Sequence, residues 1–451
     1  ALPFAKASAT IFYLDPLTGN MANDGSFSQP WSTLQAVFEA DPFDTQVYSP
    51  TPYDPAVSVL VPKNPGAPVK PGDTLMLRTG DHGIVDYIAG FNADYITIMP
   101  QPGHLPVLKV AYLQAVGKWR FKGLTFSAIY PDGYYYMFSA LSHGWHGPAA
   151  DVIIEDCHLY SIADASGWTM EQWDTLACSC IWFAGDFMQA ANNLCENVNY
   201  GIVLSGNNGT ASHNQVVNFT GDASRGNGND LLFEYNLFKN LYKVNADHND
   251  GFQSWSEGGA PRERVTLRGN VIINFEDPNQ PFRGGLEGIG CFGGPYVDWV
   301  IENNLVAVDS YHGITFLGLL DSRVVNNTVV DLDLLNTETA NIFIGDYPPF
   351  NAVSSDDLNR NNISPIISTP GSGAGSITVD HNFTDTSNYD SLFVDVQNLD
   401  FHPRNDTVAF VDAGSSEQAP LIDLDENLRP MAAGFDIGAF EFQPQCDGEN
   451  L

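Results

Sequence analysis

Leu267-Arg-Gly-Asn270-Val-Ile-Ile-Asn-Phe275, Ile301-Glu-Asn-Asn304-Leu-Val-Ala-Val-Asp309 and Val324-Val-Asn-Asn327-Thr-Val-Val-Asp-Leu332 are three copies of one pattern. An asparagine follows an apolar residue by three positions and precedes a short apolar run. The pattern recurs, with variation, at Asn193, Asn214, Asn236, Asn362 and Asn382. Steps between successive asparagines fall into two classes, 20 to 23 residues and 34 to 35 residues. The short step suits one coil of a stacked repeat, and the long step the same coil with a loop insertion of about a dozen residues. Two or three short strands cannot bury their inner faces alone, but stacked coils can. Stacking sets equivalent positions about 4.8 Å apart. An asparagine in the bend tolerates left-handed dihedrals, and its amide can bond the next asparagine along the stack. The pattern predicts an all-β, right-handed parallel β-helix, a solenoid with loop insertions. Asn193, Asn214, Asn236, Asn270, Asn304 and Asn327 should form one ladder on one edge of it.

Between the asparagines lies a second register. Gly201-Ile-Val-Leu-Ser, Gly251-Phe-Gln-Ser-Trp, Gly285-Leu-Glu-Gly-Ile and Gly313-Ile-Thr-Phe-Leu align with one another. In that alignment Ile202, Phe252, Leu286 and Ile314 stack inward, while Val203, Gln253, Glu287 and Thr315 turn outward. One outer face then collects Asp250, Gln253, Glu287 and His312.

Repeat folds grow by adding coils, so 451 residues are compatible with a single domain. We expect residues 1–110 to form an N-terminal capping region with the first coils, 111–400 the main coils and 401–451 a closing segment. Lys and Arg number 19 against 54 Asp and Glu, a formal net charge of -35. Such acidity repels nucleic acid and anionic membranes, so neither is an expected partner. It keeps a secreted protein soluble, and it supplies oxygen ligands for hard cations such as Ca²⁺. The six cysteines, Cys157, Cys178, Cys180, Cys195, Cys291 and Cys446, lack zinc-finger spacing. The first four lie close enough to pair, and buried free thiols in a β-helix core are equally compatible with the spacing. No basic-then-apolar leader precedes the repeats, so a signal peptide, if there was one, is already removed. The expected location is secreted or periplasmic.

Both ends of the chain carry a family resemblance. Tyr13-Leu-Asp-Pro-Leu-Thr-Gly, Asn23-Asp-Gly and Pro30-Trp-Ser-Thr-Leu-Gln resemble the opening of secreted parallel β-helix proteins. Pro71-Gly-Asp-Thr-Leu-Met-Leu-Arg and Tyr95-Ile-Thr-Ile resemble their first coil. Val411-Asp-Ala-Gly, Arg429-Pro and Asp436-Ile-Gly-Ala-Phe-Glu-Phe resemble their closing segment. The resemblance is to the pectate-lyase-like superfamily of polysaccharide lyases, uronan epimerases and β-helix glycoside hydrolases. It implies a carbohydrate-active enzyme with a polysaccharide substrate. It does not choose the reaction, because one fold hosts many chemistries.

Gly221 to Trp255 is the densest polar stretch, with Asp222, Arg225, Lys243, Asp247, His248, Asn249 and Asp250 ahead of Gln253 and Trp255. Coil stacking adds Arg283, Glu287, Tyr311 and His312. A uronan lyase or epimerase must remove the C5 proton beside a carboxylate, so it needs a base and a cation. His248 or Lys243 would be the base, and Arg225 or Arg283 the neutraliser, with Asp247 and Asp250 completing the catalytic set. Asp222, Asp247, Asp250 and Glu287 would hold Ca²⁺. Gln253, Trp255, Glu287, Tyr311 and His312 would bind substrate. Asp247-His-Asn-Asp250 resembles the Asp-Pro-His-Asp/Glu motif of alginate epimerases, without its proline. A glycoside hydrolase needs two carboxyls flanking the bond, which Asp247 or Asp250 with Glu287 or Asp222 would provide. Tyr311-His-Gly-Ile resembles the Gly-His-Gly-Ile of polygalacturonase-type hydrolases, with Tyr in place of the first Gly. A non-catalytic polysaccharide-binding helix would need only the aromatic and polar face. Because these residues sit on turns, His248→Ala and Asp250→Ala should spare the fold. Asp309→Ala, on another turn, should be a neutral control.

Overall fold

The computed structural model describes residues 9–130, 133–332 and 339–443. Two compact units emerge, Ala1–Gln215 and Val216–Leu451. In each the chain is wound as a parallel β-helix, and Cys446 lies outside the described residues.

In the N-terminal unit, Ile11–Leu14 pairs in parallel with Thr74–Leu77, and that strand with Ile84–Pro100. Thr74, Leu75 and Met76 face Thr97, Ile98 and Met99, so the two segments read as a first coil are adjacent rungs. The stack continues through Val110–Lys122, Tyr136–Leu141, Ser179–Ala184 and Ile202–Leu204. A short helix, Leu34–Ala40, buries Leu34, Val37 and Phe38 at the start of the stack, where rings of Phe38 and Phe43 close on Trp119. The proline-rich excursion after Asp41 forms an antiparallel hairpin, Gln46–Ser49 with Val59–Pro62. Cys180 and Cys195 form a disulfide, whereas Cys157 and Cys178 are buried free thiols, as is Cys291 in the C-terminal unit. The insertion from Ser161 to Phe187 contains the helix Met170–Leu176, capped by Thr169 and anchored by buried Trp173.

Three strand columns build the C-terminal unit. Phe252, Ile289, Ile314 and Ile342 stack in one, Phe233, Leu267, Ile301 and Val324 in the second, and Phe238, Ile272, Val306 and Val329 in the third. All twelve are buried. The closing segment lays Phe393, Phe401, Phe410, Ile437 and Phe440 over Ile273, Leu305, Val330 and Ile363. Arg429 anchors it from the interior, donating to Glu441, Asn303 and the Gly438 carbonyl. His402 spans Asp400 and Asp425 at 2.6 Å each, and the Asp425 contact helps push its imidazole up to about 9.

The predicted asparagine ladder is present within each unit. Asn193 donates its amide to Asn214 at 2.9 Å in the first. In the second, Asn236, Asn270, Asn304, Asn327 and Asn362 each pass a side-chain hydrogen bond to the next, ending at Asn382. Each Oδ1 also accepts the backbone N–H of the preceding ladder asparagine, as Asn304 does from Asn270 at 2.9 Å. One detail differs from the expectation. The left-handed residue is the one before the ladder asparagine: Asn192, His213, Tyr235, Gly269, Asn303, Asn326, Asn361 and His381 all have φ near +55°. That turn swings the following side chain inward, where its amide is shielded from water.

A second difference concerns register. Leu286 does not stack on Phe252, and Glu287 does not share a rung with Gln253. Phe252 faces Ile289, Gln253 faces Gly290, and Asp250 faces Glu287. The sequence offers two glycine–apolar pairs three residues apart, and close packing selects the second. A Cβ on Gly251 would lie 2.8 Å from the Gly288 carbonyl oxygen, and one on Gly288 2.2 Å from that of Gly313. Thr315, expected to face outward, is buried against its neighbours.

Asn304 is the ladder's best test. Its amide donates to Asn327 and to the Leu267 carbonyl, both at 2.9 Å, and its oxygen holds Asn270. Asn304→Ala leaves several buried polar groups without partners and should cost about 3 kcal/mol. Denaturant unfolding checks this, and a loss below about 1 kcal/mol would show the ladder to be incidental.

Candidate functional site

The shift in register builds the site. Asp250 opens the strand Asp250–Trp255 and Glu287 opens Glu287–Gly293, directly opposite each other. Asp250 is fully buried (0% exposed), and its Oδ2 meets His248 Nδ1 at 3.0 Å. The His248 ring stands 57% exposed, with its Nδ1 3.8 Å from Glu287 Oε2. Asp250 Oδ1 and Glu287 Oε2 are both buried without a hydrogen-bond partner. One rung away, buried Asp222 takes the Arg225 Nε at 2.5 Å and the Asp250 N–H at 3.0 Å.

Lys243 comes in from the preceding turn. Its Nζ donates to Asn249 Oδ1 at 2.8 Å, and Asn249 is held by the Thr220 and Gly221 carbonyls. Two glycines make room for this arrangement. A Cβ on Gly284 would fall 2.4 Å from Lys243 Cγ, and one on Gly290 1.9 Å from Asp250 Oδ1.

Electrostatics divides the charged groups. Burial pushes the Asp250 carboxyl well up, helped by the charges of Asp222 and Glu287 and opposed by His248. Its hydrogen bond pushes the His248 imidazole up to about 9. One proton therefore stays on this pair across neutral pH. Burial raises Asp222 as well, against the pull of Arg225. Lys243 moves the other way: burial lowers it, although Asp247, Glu287, Asp222 and Asp250 all oppose the shift.

Not every expected residue joins this centre. Asp247 is exposed, near enough for its charge to act on Lys243. Arg225 is committed to Asp222 and lies 5.5 Å from the Trp255 ring. Arg283 is exposed, donating to the Pro278 carbonyl with its guanidinium 5.8 Å from the Phe275 ring. Gln253 and Trp255 are half-buried farther along the strand. His312 bonds Thr315 Oγ1 at 2.9 Å, and Tyr311 packs edge-on against its ring. Sequence reasoning missed Phe292, whose ring meets His248 on one side and His312 on the other. It also missed the positioning roles of Asn249, Gly284 and Gly290. The run Gly284-Gly285 and the alternation Gly288-Ile-Gly290 were their only signals.

Among the described residues, His248, Asp250 and Glu287 form the group that could hold a metal ion, with one donor atom each, all within 4.8 Å of one another. The two orphaned carboxylate oxygens fit a hard cation, whereas the imidazole is not a ligand that Ca²⁺ uses. Asp222 has both oxygens engaged elsewhere.

No family model and no curated protein matches the chain. Solved structures similar to it include three carbohydrate-active proteins. Pectate lyase Pel9A is 15% identical, with 97% of each chain covered and a TM-score of 0.46. The A-module of the Azotobacter vinelandii mannuronan C-5 epimerase AlgE6 is 13% identical, over 68% of this chain and 83% of that one, TM-score 0.45. A rhamnogalacturonan lyase is 14% identical, over 86% and 91%, TM-score 0.42.

Two expectations about variants need correction. Asp250 is wholly buried, so Asp250→Ala removes a core contact rather than a solvated turn. Asp309 is also buried, 3.5 Å from the Asn274 amide, and is no neutral control. A cleaner probe is Gly290→Ala, which would displace the Asp250 carboxyl. The His248 ring should titrate near pH 9 by NMR in the parent protein and near the ordinary imidazole value in this variant. Because the folded value is raised, the pair's stabilisation is complete below the ordinary imidazole value and is lost as pH rises through about 9. An unchanged titration in Gly290→Ala would contradict the packing described.

Proposed function

We propose that this chain is a carbohydrate-active enzyme, working outside the cytoplasm on a uronate-containing polysaccharide by abstraction of the C5 proton. The observation that carries the reading is the opposite displacement of two nitrogen bases held by consecutive residues, Lys243 by Asn249 and His248 by Asp250. Burial lowers Lys243, while Asp250 raises His248 to about 9. Environments that push two such groups apart assign the base and the acid. Lys243 Nζ, whose unprotonated form burial favours and which Asn249 aims, accepts the C5 proton. Protonated His248, exposed on the same turn as Asn249, offsets the charge on the uronate carboxylate as the carbanion forms. This is the neutralising role the sequence suggested for Arg225 or Arg283, both of which have other partners. In a lyase the C5 electron pair forms the C4–C5 double bond and the C4–O bond breaks, its oxygen taking a proton from solvent water. In an epimerase solvent water delivers a proton to C5 from the opposite face, and in both cases Lys243 later returns its proton to solvent.

Asp250 and Glu287 would hold Ca²⁺ through their orphaned oxygens. Ca²⁺ would supply further positive charge to the uronate carboxylate.

The hydrolase alternative has one observation in its favour. Donor oxygens of Asp250 and Glu287 lie within 4.8 Å, near the roughly 5 Å carboxyl separation of retaining glycosidases. Asp250, however, is fully covered and has no exposed oxygen to meet a glycosidic bond.

Incubation with a panel of acidic and neutral polysaccharides tests the proposal. An unsaturated uronate at the new non-reducing end, or C5 inversion without cleavage, is expected, and saturated reducing sugars as the sole products would overturn it. Lys243→Ala should cost roughly a hundredfold or more in turnover. Turnover should fall as pH passes about 9, where His248 loses its proton, and this limb should vanish in His248→Gln. Full activity in excess chelator, with no metal found by elemental analysis, would remove the Ca²⁺ part alone.

A further inference from the structure

The N-terminal unit carries a surface that this chemistry does not use. Asp86, Tyr112, Ser139, Trp182 and Val203 are register partners on successive parallel strands, so they form one row along the stack. Around Tyr112 and Trp182 gather two sets of rings. Tyr112 packs on Tyr134 at 5.6 Å, Tyr130 on Tyr135 at 5.4 Å, and Tyr135 on Tyr200 at 6.2 Å. Buried Tyr136 links the second group to Trp182, touching Tyr135 at 5.3 Å and Trp182 at 5.5 Å. Tyr130 and Tyr135 are 45% and 44% exposed, and the other outer rings are half-buried.

Rings so placed cost apolar exposure unless something covers them. They are also held still. The Tyr134 hydroxyl donates to Asp86 at 3.0 Å, the Asn199 amide donates to the Tyr135 hydroxyl at 3.2 Å, and Trp182 Nε1 donates to Ser205 Oγ at 3.4 Å. Fixed rings with polar tips give contact area at little entropic cost. Charge narrows the choice of occupant. Asp86 is the one charged member of the row, and no cationic side chain stands in the row to meet an anion. A second copy, an acidic polymer or an anionic membrane would meet like charge. Neutral pyranose residues would not, and their C–H faces suit aromatic planes while their hydroxyls suit the phenolic tips.

We propose that the row centred on Tyr112 and Trp182, with Tyr130, Tyr134, Tyr135 and Tyr200, is a binding platform for a neutral polysaccharide chain. Equivalent positions repeat about every 4.8 Å along the stack, a spacing comparable with one sugar residue. The platform holds neutral stretches of a glycan and does no chemistry on them.

The test uses the full chain in affinity electrophoresis against soluble xyloglucan, galactomannan, mixed-linkage β-glucan and polygalacturonate. At least one neutral polymer should retard the protein. Trp182→Ala and Tyr135→Ala should each weaken that binding about tenfold or more, as for buried aromatic anchors. Trp182→Phe should restore most of it, and Lys243→Ala should leave it unchanged. A thermal melt matching the parent protein certifies each variant. Retardation by polygalacturonate alone, or neutral-polymer binding that survives Trp182→Ala, overturns the proposal. So does a dimer in sedimentation velocity that Trp182→Ala dissociates, which would make the rings a self-interface.

Discussion

An asparagine amide that bonds the asparagine one coil away is the contact on which the C-terminal unit is organised. Asn236 through Asn382 repeat it, and each oxygen also takes a backbone N–H from the coil before. Buried amides pair only at one separation and one height, and an unpaired one is expensive. The ladder therefore locks vertical register coil by coil, whatever the length of the loops between. Loops can then vary, as the 34-residue and 23-residue steps show, without disturbing the strands.

Locked register turns distant residues into neighbours. Asp222, Asp250 and Glu287 are far apart in sequence, yet they influence one another electrically through a covered interior. Three carboxyls in that space lie beside three basic side chains, Arg225, His248 and Lys243. Each is placed differently. Arg225 is spent on Asp222, His248 gains a proton-holding partner, and Lys243 loses hydration without gaining a carboxylate hydrogen bond. The proposed acid–base roles rest on the contrast between the last two rather than on the number of charges.

Glycine does the complementary work. Gly251, Gly288 and Gly313 allow strands to pass where a Cβ would strike a carbonyl oxygen or a core side chain. Gly284 and Gly290 leave space that the Lys243 stem and the Asp250 carboxyl occupy. Ladder and glycines together convert a repetitive stack into a site at one place along it.

The sequence by itself determined the coil, the ladder and the inward Val, Ile, Leu and Phe positions, because these repeat and each repeat corroborates the others. It also located the polar segment from Asp222 to Asp250. Which glycine–apolar pair joins the stack, Gly285-Leu286 or Gly288-Ile289, was decided only by the tertiary structure. Both satisfy the period, and only packing against Ile272 and Val306 tells them apart. The same holds for roles within the site. A histidine between acids reads alike with or without a buried partner; its hydrogen bond to covered Asp250, which raises His248 to about 9, came only with the tertiary structure. Arg225 and Arg283 likewise looked available until their partners, Asp222 and the Pro278 carbonyl, were seen. Periodicity is written in the chain, but desolvation and pairing depend on which groups the fold brings together.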